Sequence, residues 1–218
     1  PPIKPARPRL ARMRRLFAKG LGCGHLAPMR RLLLLLMAPI LPSLASGIEE
    51  AYPRTSPGDI ELKTLPAARW MRTESSKDYF ASDNGLFMRL FRYIDANKIP
   101  MTAPVEAGIS PGTMVFYMDR NSAKRPDLAE TAQVKLTSVP ERRVAAVGIR
   151  GSYSRDNYEE ALGRLREWLA RNAEVRSAGE PYAVYWNSPF VPFFLKHSEV
   201  HIPVVPAKAS DPAPGAPR

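Results

Sequence analysis

Apolar and polar positions along the chain switch twice into helical period, and each switch is flanked by extended runs. Leu86, Phe87, Leu90, Phe91 and Ile94 fall at i, i+1, i+4, i+5 and i+8. That spacing makes one apolar stripe on a helix and turns Arg89, Arg92 and Asp95 elsewhere. Ser82, Asp83 and Asn84 supply N-cap oxygens just ahead of it. A second helix is predicted where Tyr158, Leu162, Leu165 and Leu169 recur at four, three and four, with Trp168 beside them. Asp156 and Glu159 read as its capping box, and Arg171-Asn172 closes it.

Runs of β type surround both helices. Ile60–Thr64 and Ala67–Thr73 precede the first, and Ile99–Val105 and Met114–Met118 follow it. Val134–Val139 and Arg143–Gly151 precede the second; Ala183–Asn187 and Glu199–Val204 follow it. The order strands, helix, strands thus occurs twice. A helix or strand with one apolar face must bury it against another element. Two such halves sharing one antiparallel sheet or distorted barrel, with both helices packed on it, meet that demand. The predicted class is α+β.

The ends read differently. Pro206–Arg218 holds Pro206, Pro212, Pro214 and Pro217 among Ala, Lys and Ser, a composition that buries too little apolar surface to order itself. Residues 1–47 read as a leader. From Met29, Arg30-Arg31 makes a positive segment, Leu32–Leu41 an apolar one, and Ser43, Ala45, Ser46 and Gly47 a small-residue cleavage region. The apolar run is shorter than the roughly 20 residues a bilayer-spanning helix needs. A cleaved signal peptide, and a periplasmic or secreted domain over 48–205, are expected. An Arg-rich, acid-free organellar (plastid) transit peptide is the alternative.

Charge changes the picture only after it is located. The net charge of +11 suggests a polyanion partner, yet nine of the 32 basic residues lie in 1–47, where there is no acidic residue. The remainder carries 23 basic against 21 acidic side chains and is nearly neutral. A phosphate-binding face needs clustered charge on the domain itself, so no nucleic-acid partner is expected. The single cysteine, Cys23, falls in the leader, which leaves the domain without a disulfide framework or thiolate ligands.

The segment Leu90-Phe91-Arg92-Tyr93-Ile94-Asp95-Ala96-Asn97-Lys98-Ile99-Pro100-Met101-Thr102-Ala103-Pro104-Val105 resembles the signature of the SOUL haem-binding family, an aromatic helix followed by a Met-Thr-Ala-Pro-Val strand. Tyr185-Trp186-Asn187-Ser188-Pro189-Phe190 and Phe194–Val200 are similar to a second block of that family. The resemblance spans approximately residues 48–204. It implies a duplicated βαββ-type barrel that binds haem or another tetrapyrrole in an open apolar cleft beside the first helix. It places Phe87, Phe91, Arg92, Val105 and Val191 at that cleft. Two positions depart from the pattern. Lys196-His197-Ser198-Glu199 stands where Arg-Arg-Asn-Glu is common, and Val191 where some members carry lysine, so propionate contacts are fewer.

Ligation chemistry is sparse outside the leader. Haem iron takes His, Met, Cys or Tyr. His197 and His201 fall on one side of a strand but about 13 Å apart, too far to share a metal. His197 alone is a weak ligand candidate, and a surface or rim position is its default. Met101, Met114 and Met118 read chiefly as core filler. Burying on the order of 400 Å² of macrocycle gives a gross ~10 kcal/mol, which association costs of ~4–15 kcal/mol reduce to micromolar affinity without strong axial ligation. A general small-molecule module of the same fold is the rival reading, with Glu106 as its candidate central acid, although a strand-end surface position is the simpler expectation for it. No catalytic constellation is readable, and Asp83 and Asp156 are better explained as helix caps.

Overall fold

The computed structural model describes residues 48–188 and 190–207. The leader, and residues 208–218 of the expected tail, lie outside them. The described chain runs β1 (Glu49–Glu50), β2 (Ile60–Leu65), β3 (Ala68–Glu74), α1 (Leu86–Ala96), β4 (Thr102–Ala103), β5 (Val105–Gly108) and β6 (Thr113–Tyr117). It continues with β7 (Lys135–Val139), β8 (Arg142–Arg150), α2 (Arg155–Arg171), β9 (Val175–Ser177), β10 (Tyr182–Tyr185) and β11 (His197–Pro206). The class is α+β: two helices on a strongly curled antiparallel half-barrel.

The duplication is visible in the strand order, β2-β8-β11-β10-β5-β6-β3-β7. Exchanging β2 with β7, β3 with β8, β5 with β10 and β6 with β11 returns the same order reversed. Each half also gives its first strand away. β2 pairs with β8 of the second half, Ile60 opposite Val147 through Leu65 opposite Arg142. β7 pairs with β3 of the first, Ala68 opposite Val139 through Arg72 opposite Lys135.

These pairings explain the curl. Only Pro66-Ala67 joins β2, at one edge, to β3, near the other, and only Pro140-Glu141 joins β7 to β8. Two linking residues span at most about 11 Å, so the two ends of the sheet must be brought close together. Proline suits both links, since its missing N–H costs nothing between ladders.

Alternation along the strands then sorts side chains between two faces. Met71, Met114, Phe116 and Met118 pack under Leu86, Leu90 and Ile94 of α1. Ala145, Val147, Val200, Ile202 and Val204 pack under Tyr158, Leu162 and Leu165 of α2. The opposite face, inside the curl, carries Leu65, Tyr117, Val144, Val184 and Trp186, with Tyr52 from the segment ahead of β2 pressed among them.

Local signals differ from expectation at four places. The cap of α2 is Ser154, whose Oγ accepts from the Asn157 N–H at 3.3 Å. Asp156 lies inside the first turn, and Glu159 pairs with Arg155 instead of returning to the cap. Ahead of α1, Asn84 Oδ1 accepts from the Leu86 N–H at 3.0 Å while Gly85 turns the chain at φ 68°; Asp83 instead binds Lys77. The run Ile99–Val105 divides at Pro104, which has no N–H to lend a ladder: β4 pairs in parallel with β1, and β5 joins the main sheet. Lastly, β11 continues to Pro206, opposite Val175, and the Ala207 N–H donates to Glu174 O at 2.8 Å. Pro206, through the ladder to β9, and Ala207, through that hydrogen bond, are thus tied to the domain although their composition reads as tail. Neither β1 nor β9 was expected, being too short to show a period.

Candidate functional site

The apolar stripe of α1 is wider than the sheet beneath it. Leu86, Leu90, Tyr93 and Ile94 are buried, and Phe87 and Phe91 are left at the edge. Their rings stack on each other at 5.8 Å, and Phe87 meets Phe116 edge-on at 5.6 Å, which holds the pair upright. Beside them opens a cleft of about 430 Å³. Phe87, Met88 and Phe91 form one wall, and Met101, Thr102, Ala103 and Val105 from the strand after the helix form the next. Tyr185 at the end of β10, and Trp186, Asn187, Ser188 and Phe190 of the loop to β11, stand across from them, with Ile48 at the rim. Size and apolar lining match a pocket for a small organic ligand.

Of the residues picked from sequence, Phe87, Phe91 and Val105 line this cleft. Arg92 and Val191 do not. Arg92 is exposed on α1, one position past Phe91, and makes no ion pair or side-chain hydrogen bond with a described residue. Val191 is half-buried in the loop, its N–H donating to Ser188 O at 3.1 Å. Met101 lines the cleft, whereas Met114 and Met118 are core. Sequence reasoning missed Trp186, Tyr185, Phe190, Met88 and Ile48. The first three sit inside the quoted second block, so the signal existed. Ile48 carried none.

Neither histidine lines the cleft. His197 is half-buried, with Nε2 2.7 Å from Thr55 O. Burial lowers its pKa below the ordinary imidazole value, against the opposing pull of Thr55 O and Glu199. His201 is fully buried, Nε2 2.7 Å from Glu199 Oε2 and Nδ1 3.3 Å from Tyr182 Oη. Its strand position turns it into the curl. No group of three metal-ligating side chains occurs among the described residues.

That interior holds two buried carboxylates. Glu199 accepts from the Thr55 N–H at 2.8 Å, Thr55 Oγ1 at 2.9 Å, Lys63 Nζ at 3.1 Å and Trp186 Nε1 at 2.7 Å. Burial alone would raise its pKa, but the hydrogen bond and charge of His201, the charge of Lys63 and the Thr55 N–H bring it down to about 2. Glu106 is buried too, not at the surface: β5 lies at the centre of the sheet and turns it inward. It accepts from Tyr117 Oη at 2.5 Å, Arg142 Nη2 at 2.7 Å and Tyr52 Oη at 3.3 Å. Burial and the neighbouring Glu106 push the Tyr117 phenol well up, so it stays a donor. Trp186 thus presents its ring to the cleft and its N–H to the interior.

The family model for the SOUL heme-binding protein matches residues 50–203. The chain belongs to the SOUL heme-binding protein family. No functionally curated protein matches the sequence. Among solved structures the chain is similar to EcmrR in a complex with DNA, at 15% identity and a TM-score of 0.54, over 67% of this chain and 57% of that one. The chain thus spans little more than half of the EcmrR chain in that complex. It is also similar to the isolated EcmrR C-terminal domain (15% identity, TM-score 0.51, 67% and 97% covered). An uncharacterized conserved protein from Listeria innocua is comparable (13% identity, TM-score 0.50, 68% and 93% covered). At such identities the likeness is one of fold alone.

Proposed function

We propose that the cleft beside α1 binds haem or another tetrapyrrole and that the protein carries, stores or scavenges it. The observation that supports this reading is the slot itself: stacked Phe87 and Phe91 facing Trp186 and Phe190 across about 430 Å³. A flat macrocycle gains from aromatic faces on both sides. Arg92, next to Phe91 on α1 and free of partners among the described residues, is the candidate cation for a propionate; Arg54, 5.0 Å from the Trp186 ring, is already paired with Glu50.

The lining offers iron only the thioethers of Met88 and Met101 and the Tyr185 phenol. Burial drives the Tyr185 pKa upward, and the contact with Tyr79 adds to it, so its phenolate is not at hand. Recognition rests on the ring and not on the metal. Haem and iron-free protoporphyrin then bind with similar micromolar affinity, read as a Soret shift and as quenching of the tryptophans. Absence of both signals with both ligands would falsify the proposal. Uptake of unrelated apolar dyes alongside that absence would favour the general small-molecule module.

A secreted or periplasmic home is part of the proposal, with a plastid as its alternative. N-terminal sequencing of protein from its native compartment checks it: signal cleavage leaves an end within 43–50.

A further inference from the structure

The loop after Trp186 exposes apolar side chains to a degree that the cleft does not need. Phe190 is 95% exposed, Phe193 66%, Phe194 57% and Leu195 51%, and none but Phe190 lines the cleft. Monomeric proteins rarely leave such a contiguous patch in water without a use for it. Ile48, Met88 and Phe91, all at the rim, extend it to the mouth of the slot.

We infer that this loop docks the domain onto a lipid bilayer, with the mouth of the cleft facing the lipid. Three observations select lipid over a protein partner. Phe190 stands clear at 95% exposure, and Phe193 and Phe194 meet only each other edge-on at 5.6 Å, a projecting tip unlike the closely packed centre of a protein interface. Projecting Phe and Leu side chains suit the boundary between headgroups and acyl chains. The loop backbone is also partly self-satisfied: Leu195 N–H donates to Pro192 O at 2.9 Å, Lys196 N–H to Phe193 O at 3.2 Å, and Pro192 has no N–H. A segment entering lipid needs such internal bonding. Charge agrees with this. Residues 181–198 contain no acidic side chain, and Lys196 follows Leu195 directly. Arg92 sits beside Phe91 on the exposed side of α1. Cations bordering an apolar tip fit an anionic leaflet.

The inference stands on the loop and not on the identity of the ligand in the cleft. Its test uses the full chain and the variant F193S/F194S, with sedimentation on phosphatidylcholine vesicles made with and without phosphatidylglycerol. The wild type binds, more tightly with the anionic lipid, and the variant loses at least about tenfold in partitioning. A separate F193W chain reports position: brominated lipids quench its added emission. Equal binding by variant and wild type would overturn the inference, as would an unquenched F193W. So would a wild-type dimer that the double substitution dissociates, which would assign the patch to a second copy. In lipid-free buffer F193S/F194S quenches with protoporphyrin as the wild type does. Failure of vesicle binding with quenching intact, or the converse, therefore shows which of the two readings has failed.

Discussion

Phe91 and Glu199 show how differently two residues of one domain are committed. Phe91 is 44% exposed and leans on Phe87, so it contributes little to folding and much to the slot. Phe91→Ala is expected to weaken protoporphyrin binding about fivefold, since roughly 1 kcal/mol of ring burial is lost on a half-shielded site. The melting temperature should stay within about 2 °C; quenching titration and thermal unfolding check the two parts. Glu199 has the opposite commitment. Its pKa falls from the ordinary 4.5 to about 2 in the folded protein, so the folded state binds fewer protons than the unfolded one at intermediate pH. Its contribution is present above pH 4.5 and is lost as pH falls through 2, about 3 kcal/mol in all. Urea unfolding of the wild type between pH 5 and pH 2 should show that slope. Glu199→Gln should be less stable at neutral pH and should lack this share of the acid dependence.

The segment ahead of β2 behaves as an element although it has almost no regular structure. Tyr52 reaches Glu106, Thr55 reaches Glu199, and Lys63 Nζ donates to Pro53 O at 3.1 Å. Gly148 makes room for it: a Cβ there would lie 2.2 Å from Ser56 O and 2.6 Å from Thr55 O, both backbone atoms that cannot turn aside. Gly148→Ala is therefore expected to cost about 1–3 kcal/mol and to speed amide exchange over residues 52–57, measured by mass spectrometry. Nothing in the sequence marked this segment. The helices and most strands were legible because their faces are one-sided: period 3.6 or 2 survives when one side meets water. The inward polar set was not. Glu106 and His201 look like surface residues in isolation; alternation puts Glu199 beside His201 and Tyr117 lies on the next strand to Glu106, but only the curl of the sheet brings Arg142 of β8 across to Glu106. The aromatic wall on α1 was legible, because its stripe is too wide for a helix lying flat on a sheet. The facing wall belongs to a loop without period, and its residues could be quoted but not aimed.

At the scale of the molecule, the exchanged strands decide cooperativity. Neither half keeps a complete sheet alone, because β2 has its ladder with β8 and β7 has its ladder with β3. Cutting the chain in the connection between β6 and β7, in the stretch 126–133, should give two fragments that are unfolded separately by circular dichroism and regain the native spectrum when mixed. A fragment that folds alone would contradict this.

The same exchange sets a timetable during synthesis. When β2 leaves the ribosome, its partner lies beyond α1, β6 and β7 and has not yet been made. Until β8 arrives, Ile60 and Leu62 form an open edge able to recruit any passing strand. Productive folding waits for the second half, and a nascent chain stalled ahead of β8 is the species most exposed to misassembly.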